Sequence, residues 1–120
     1  MKKQKRTITE ALMTFGVAPN LRGYAYLYEA VSLTLGAAAP AMVTKDIYPA
    51  IAKKFKTTYS RVERAIRYAA ECSYANLSPD TIEKLYGNSV SFYKSKPSNS
   101  HFISLLALYV NPIEEGSPNA

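Results

Sequence analysis

Within eight positions, Ser60 to Arg67, the chain sets out five side chains able to hydrogen-bond a nucleic acid duplex: Ser60, Arg61, Glu63, Arg64 and Arg67. An Arg guanidinium can donate two bonds to guanine O6 and N7, and a Glu carboxylate can accept from cytosine N4. Glu63 and Arg64 side by side therefore suit a C and a G, and Ser60 is spaced to meet a base edge beside them. The competing reading of the same residues is a solvated face on which Glu63 and Arg67 pair at i, i+4.

Helical spacing decides which of these side chains share a face. At about 100° per residue, Ser60, Glu63, Arg64, Arg67, Glu71 and Tyr74 fall on one side of a helix. Val62, Ala65, Ile66, Ala69 and Ser73 fall on the other. Lys56-Thr57-Thr58 supplies a hydroxyl for the free N–H groups of a helix start, with Ser60 and Glu63 as an alternative capping box. The start is thus expected between Thr58 and Ser60. Upstream, Thr44 is expected to cap a shorter helix with Ile47, Ile51, Ala52 and Phe55 inward, and Pro49 in its first turns, where a missing N–H costs little. Two helices joined by so short a turn form the helix-turn-helix unit, whose second helix enters the major groove. Ser60 and Arg67 are then placed to hold a base edge or a phosphate, and Lys54, Lys56 and Thr58 stand as expected contacts to the DNA backbone.

A length of 120 residues fits one domain, and 48% hydrophobic residues provide a core. The net charge is +6. Between Lys53 and Arg67 lie six cations and one anion, Glu63, a local excess of five. Such a patch attracts polyanions through counterion release, although an anionic membrane surface would feel the same charge. The single Cys72 forms no internal disulfide, and with one histidine, His101, a zinc site of Cys and His ligands is excluded. Cys72 reads as a small residue at the edge of the core. No apolar run of about 18 residues spans a membrane, and no signal-peptide core follows the basic start. The expectation is a cytoplasmic protein that needs no cofactor.

Along the rest of the chain, residues 1–7 are expected as a disordered basic arm, and Thr7 or Thr9 caps a short helix with Ile8, Ala11, Leu12 and Phe15 on one face, ended by Gly16. Val17 to Gly23 reads as a loop. Tyr24 to Leu35 reads as a helix with Leu27, Ala30, Val31, Thr34 and Leu35 inward and Tyr24 and Tyr28 on its flank; Ala37 to Val43 reads as a linker. Ten tyrosines and no Trp could stack on bases; at helical spacing they serve better as the rim of a small core. Ser78 and Pro79 open a further short helix stopped by Gly87, and Ser89 to Tyr93 alternates weakly as an extended piece. A last helix runs from Ser100 to Tyr109 with Ile103, Leu106, Ala107 and Val110 buried. Before it, Lys94, Lys96, Ser98 and Asn99 surround a helix N-terminus and are expected to hold a DNA phosphate, beside ordinary capping by Ser98 or Asn99. Residues 112–120 read as a frayed acidic tail.

The runs IYPAIAKKF, TT, SRVERAIRYA, KSKPSNSHFI and RGYAYLYEAV resemble, in the same order, the DNA-binding effector domain of the sporulation master response regulator family of Firmicutes. The likeness covers Ile8 to Val110. It implies an all-α domain of about six helices around a central helix-turn-helix, of the winged-helix-like superclass without a clear wing, spanning residues 8–111. It implies binding to a short double-stranded DNA box as tandem or paired copies, with Glu63 and Arg64 as base readers and Arg61 and Arg67 mainly on the backbone. Tyr68 stands where the family is expected to carry His, so a different preferred sequence is expected. The family usually places a phosphoacceptor receiver domain ahead of this one, and a chain of this length is expected to lack it.

Three function classes follow. A sequence-specific, double-stranded DNA-binding transcription regulator uses the arginine face directly. A protein-interaction module, such as an inhibitor of a full-length regulator of the same family, would use the Tyr- and Leu-bearing faces and has no need of Arg61, Arg64 and Arg67 beside Glu63. An enzyme lacks its parts: His101 and Cys72 are far apart, no Gly-rich phosphate loop exists, and the carboxylates do not cluster at ligand spacing.

Overall fold

A computed structural model of the chain describes residues 5–37, 42–87 and 97–112. Six α-helices make up the described residues, with no strand among them. They are α1 (Ile8–Thr14), α2 (Arg22–Gly36), α3 (Tyr48–Lys54), α4 (Tyr59–Asn76), α5 (Pro79–Tyr86) and α6 (Asn99–Val110). The expected extended piece at 89–93 and most of the tail, 113–120, lie outside the described residues.

Local sequence accounts for most of the boundaries. Thr7 accepts from the Glu10 N–H at 3.0 Å while the Glu10 carboxylate accepts from the Thr7 N–H at 2.9 Å, a reciprocal capping box. Those bonds hold the Glu10 carboxyl below its usual range. Ser78 caps α5 ahead of Pro79, and Gly87 ends it at a φ of 63°. Ser98 caps α6 through the His101 N–H at 3.1 Å.

α2 packs against α4 and α6, α1 against α6, and α3 against α4. Their shared core is one cluster that includes Leu12, Phe15, Leu27, Val31, Ile51, Ile66, Phe102 and Leu106. The expected rim role of the tyrosines understates their burial, because Tyr26, Tyr48 and Tyr86 lie inside that cluster.

Four expectations change. α2 starts at Arg22, which brings Gly23 inside the helix rather than at the end of a loop. A Cβ there would sit 2.3 Å from the Ala65 carbonyl oxygen and 2.6 Å from the Ala69 Cβ, so Gly is what lets α2 cross α4 closely. Leu35 and Phe55, expected inward, are exposed; Leu35 lies in the last turn of α2, and Phe55, just past the end of α3, keeps an edge-on contact with the Tyr26 ring at 5.1 Å. Thr44 does not cap α3. A π-helical turn, Val43–Ile47, leads into it, the Asp46 carboxylate accepts from the Met42 N–H at 2.8 Å, and Pro49 sits in the first turn. Arg6, in the stretch expected as a loose arm, donates its N–H to the Val110 carbonyl at 2.9 Å and lays its guanidinium over the Tyr109 ring, 4.3 Å from the centroid.

Candidate nucleic-acid interface

The turn between α3 and α4 sets the angle of the second helix. Phe55 closes α3, and Lys56 takes a φ of 54°, the left-handed region. That reversal lets the Thr57 N–H reach back to the Ala52 carbonyl at 2.9 Å. Thr58 then accepts from the Arg61 N–H at 3.2 Å and fixes the first turn of α4. The Ser60 and Glu63 capping box is therefore not used; Ser60 is exposed.

From that start, Val62, Ile66, Ala69, Ala70 and Ser73 are buried, and the Ser73 hydroxyl donates to the Phe15 carbonyl. Arg61, Arg64 and Arg67 are exposed, as are Lys54 and Lys56 at the end of α3. Tyr74, assigned by spacing to the polar side, instead turns to the core, where its ring meets Tyr86 edge-on at 5.5 Å. A single turn of offset near the helix end is enough to bring a long aromatic back to the protein.

The fine geometry separates residues that spacing had grouped together. Glu63 accepts from the Arg67 Nη1 at 3.2 Å, the i, i+4 pair, so the solvated-face pairing exists on the same helix as the exposed arginines. At this exposure such a pair is worth only a few tenths of a kcal/mol, about 0.3–0.5. One carboxylate oxygen on Arg67 leaves the other with lone pairs to offer. Lys54 is held by Glu29 of α2 at 2.7 Å, so any phosphate would compete with that carboxylate. Thr58 spends its hydroxyl as a cap.

Ser98 likewise spends its hydroxyl on capping, and the Asn99 amide turns inward, donating to the Tyr48 hydroxyl at 2.8 Å and the Glu63 carbonyl at 3.3 Å. Sequence reasoning missed this strap, which ties the start of α6 to the first turns of α3 and α4; an Asn one residue past a capping Ser was its one signal. Burial pushes the Tyr48 phenol up, with the Asn99 bond acting in the opposite sense. Tyr48, Tyr59, Glu63, Arg67, Ser98 and Asn99 line a polar cleft of about 430 Å³ beside the arginine face. Lys94 and Lys96, expected to hold a DNA phosphate before the start of α6, lie outside the described residues.

α3 and α4 thus form a helix-turn-helix whose second helix buries one face and leaves its arginines exposed. A family model described as the sporulation initiation factor Spo0A C terminal matches residues 8–110. The chain belongs to that family.

The Spo0A C-terminal match runs from the first residue of α1 to the last of α6. The family is one of DNA-binding regulatory domains of sporulation regulators rather than of enzymes. In this Spo0A C-terminal domain no helix among the described residues is long and apolar enough to cross a membrane. No group of three or more His, Cys, Asp or Glu among them is placed to hold a metal ion.

Proposed function

We propose that this chain is a sequence-specific, double-stranded DNA-binding transcription regulator that lays α4 in the major groove. Arg64 reads a guanine, Glu63 offers its remaining oxygen to a neighbouring cytosine, and Ser60 faces the adjacent base edge. Arg61, Arg67, Lys54 and Lys56 neutralise phosphates on either side. The observation that carries the reading is the exposure of Arg61, Arg64 and Arg67 on α4, next to the basic end of α3.

Direct readout and charge attraction part company under mutation. Arg64→Ala is expected to lose about 1–3 kcal/mol on the duplex selected from a random pool at physiological salt, and little on a random duplex. Arg61→Ala is expected to weaken both alike. Fluorescence anisotropy titrations on the two duplexes measure this, and equal losses on both for Arg64→Ala would defeat the assignment.

A further inference from the structure

α4 turns an aromatic ring outward as well as its arginines. Counting about 100° per residue from Ser60, the buried side chains Val62, Ile66, Ala69, Ala70 and Ser73 centre near about 225°, so the helix faces away from the protein at about 45°. Arg64 at about 40°, Tyr68 at about 80° and Arg61 at about 100° surround that direction. Glu63, at about 300°, sits near the buried edge, and it is the one of the four that is partly covered.

Tyr68 is 59% exposed, and among the described residues it meets no other ring, unlike Tyr48, Tyr59, Tyr74 and Tyr86. Packing therefore does not account for it. Arg64 and Tyr68 stand at i and i+4, one turn apart on the outward face, where a recognition helix presents side chains to the major groove. The four residues from Arg64 to Tyr68 rise about 6 Å, against about 3.4 Å per base-pair step. Tyr68 thus reaches about two steps beyond the one Arg64 meets. A tyrosine is neutral at physiological pH, and the Cys72 thiol beside the Tyr68 hydroxyl pushes the phenol further up, so what the residue offers a duplex is an uncharged ring. The apolar feature of the major-groove edge is the C5-methyl of thymine.

We propose that Tyr68 is a specificity-determining residue whose ring packs on a thymine methyl about two base pairs from the one read by Arg64; this rests on the DNA-binding reading above. The test starts from the box that the wild-type chain enriches from a random duplex pool. Each thymine of that box is replaced singly by uracil, which removes only the methyl. Dissociation constants are then measured for wild type, Tyr68→Ala, Tyr68→Gln, Tyr68→Phe and Arg64→Ala, with thermal melts to confirm folding. One replacement should weaken the wild type about fourfold, the value of one methyl-sized group withdrawn from contact. Tyr68→Ala and Tyr68→Gln should lose about as much on the intact box and become indifferent to that replacement, while Tyr68→Phe and Arg64→Ala stay sensitive. Retained sensitivity in Tyr68→Ala and Tyr68→Gln, an equal loss on box and random duplex, or a box with no thymine within about two base pairs of the guanine would overturn the proposal. Failure of the wild type to enrich any box would instead overturn the DNA-binding reading, and the Tyr68 contact with it.

Discussion

Tyr86 carries its phenol into an aromatic cluster: the Phe15 ring meets it edge-on at 5.7 Å and the Phe102 ring lies nearly parallel at 6.5 Å. Burial pushes its pKa up to about 12, with the Ser73 hydroxyl acting in the opposite sense. An unfolded tyrosine titrates near about 10. The folded chain therefore keeps a proton that the unfolded chain gives up, so this group's stabilisation is complete below about pH 10 and drains away towards about pH 12. Urea unfolding across pH 9 to 12 should show the wild type losing stability more steeply than Tyr86→Phe; parallel curves would mean the phenol is not the titrating group. The sequence placed Ser73 on the packing side by spacing alone. Its partner, the Phe15 carbonyl 58 positions away, could not be read, because nothing local names the group a buried hydroxyl must satisfy.

At the scale of elements, the turn between α3 and α4 holds the clearest local conflict. Lys56 occupies the left-handed region at a φ of 54°, which costs a residue with a Cβ about 1–2 kcal/mol. Glycine removes that cost but adds about 0.5–1 kcal/mol of unfolded-state entropy, so Lys56→Gly is expected to stabilise the fold by roughly 0.5–1 kcal/mol. The same change deletes a cation from the proposed DNA-binding patch. Affinity for a random duplex should fall while the melting temperature rises, and a drop in both would show that the turn needs the Lys side chain. Most helix starts were legible because their caps are local: Thr7, Thr58 and Ser78 each bond an N–H three residues on. The π-helical entry to α3 was not legible, since Thr44 offers an equally good local cap and packing chose otherwise.

For the molecule as a whole, charge sets the reach of the interface. If Lys54, Lys56, Arg61 and Arg67 each neutralise one phosphate, log affinity should fall with log salt at a slope of about −3.6. Titrations from low to high salt on a random duplex measure it, and a slope shallower than about −2 would place most of these cations away from the backbone. The Lys54 to Glu29 pair at 2.7 Å and the Glu63 to Arg67 pair at 3.2 Å both compete with phosphate, so the slope also reports whether those pairs open. The path of α2 across α4 depends on Gly23, whose place a Cβ could not take without meeting the Ala65 carbonyl oxygen.

Periodicity, caps and charge are properties of neighbours in sequence, and from them alone came the all-α class, the helix-turn-helix at 44 to 75 and the arginines on its second helix. What only the tertiary structure decided is how those side chains divide. Glu63 is half covered and paired, Tyr74 turns in, Tyr68 stays out, and Asn99 straps α6 to the reading helix. Each of these depends on where a different helix lies, and a wheel drawn from one segment carries no information about the others. The contacts that orient this face join residues 36 and 51 positions apart, and only chain folding brings them within hydrogen-bond distance.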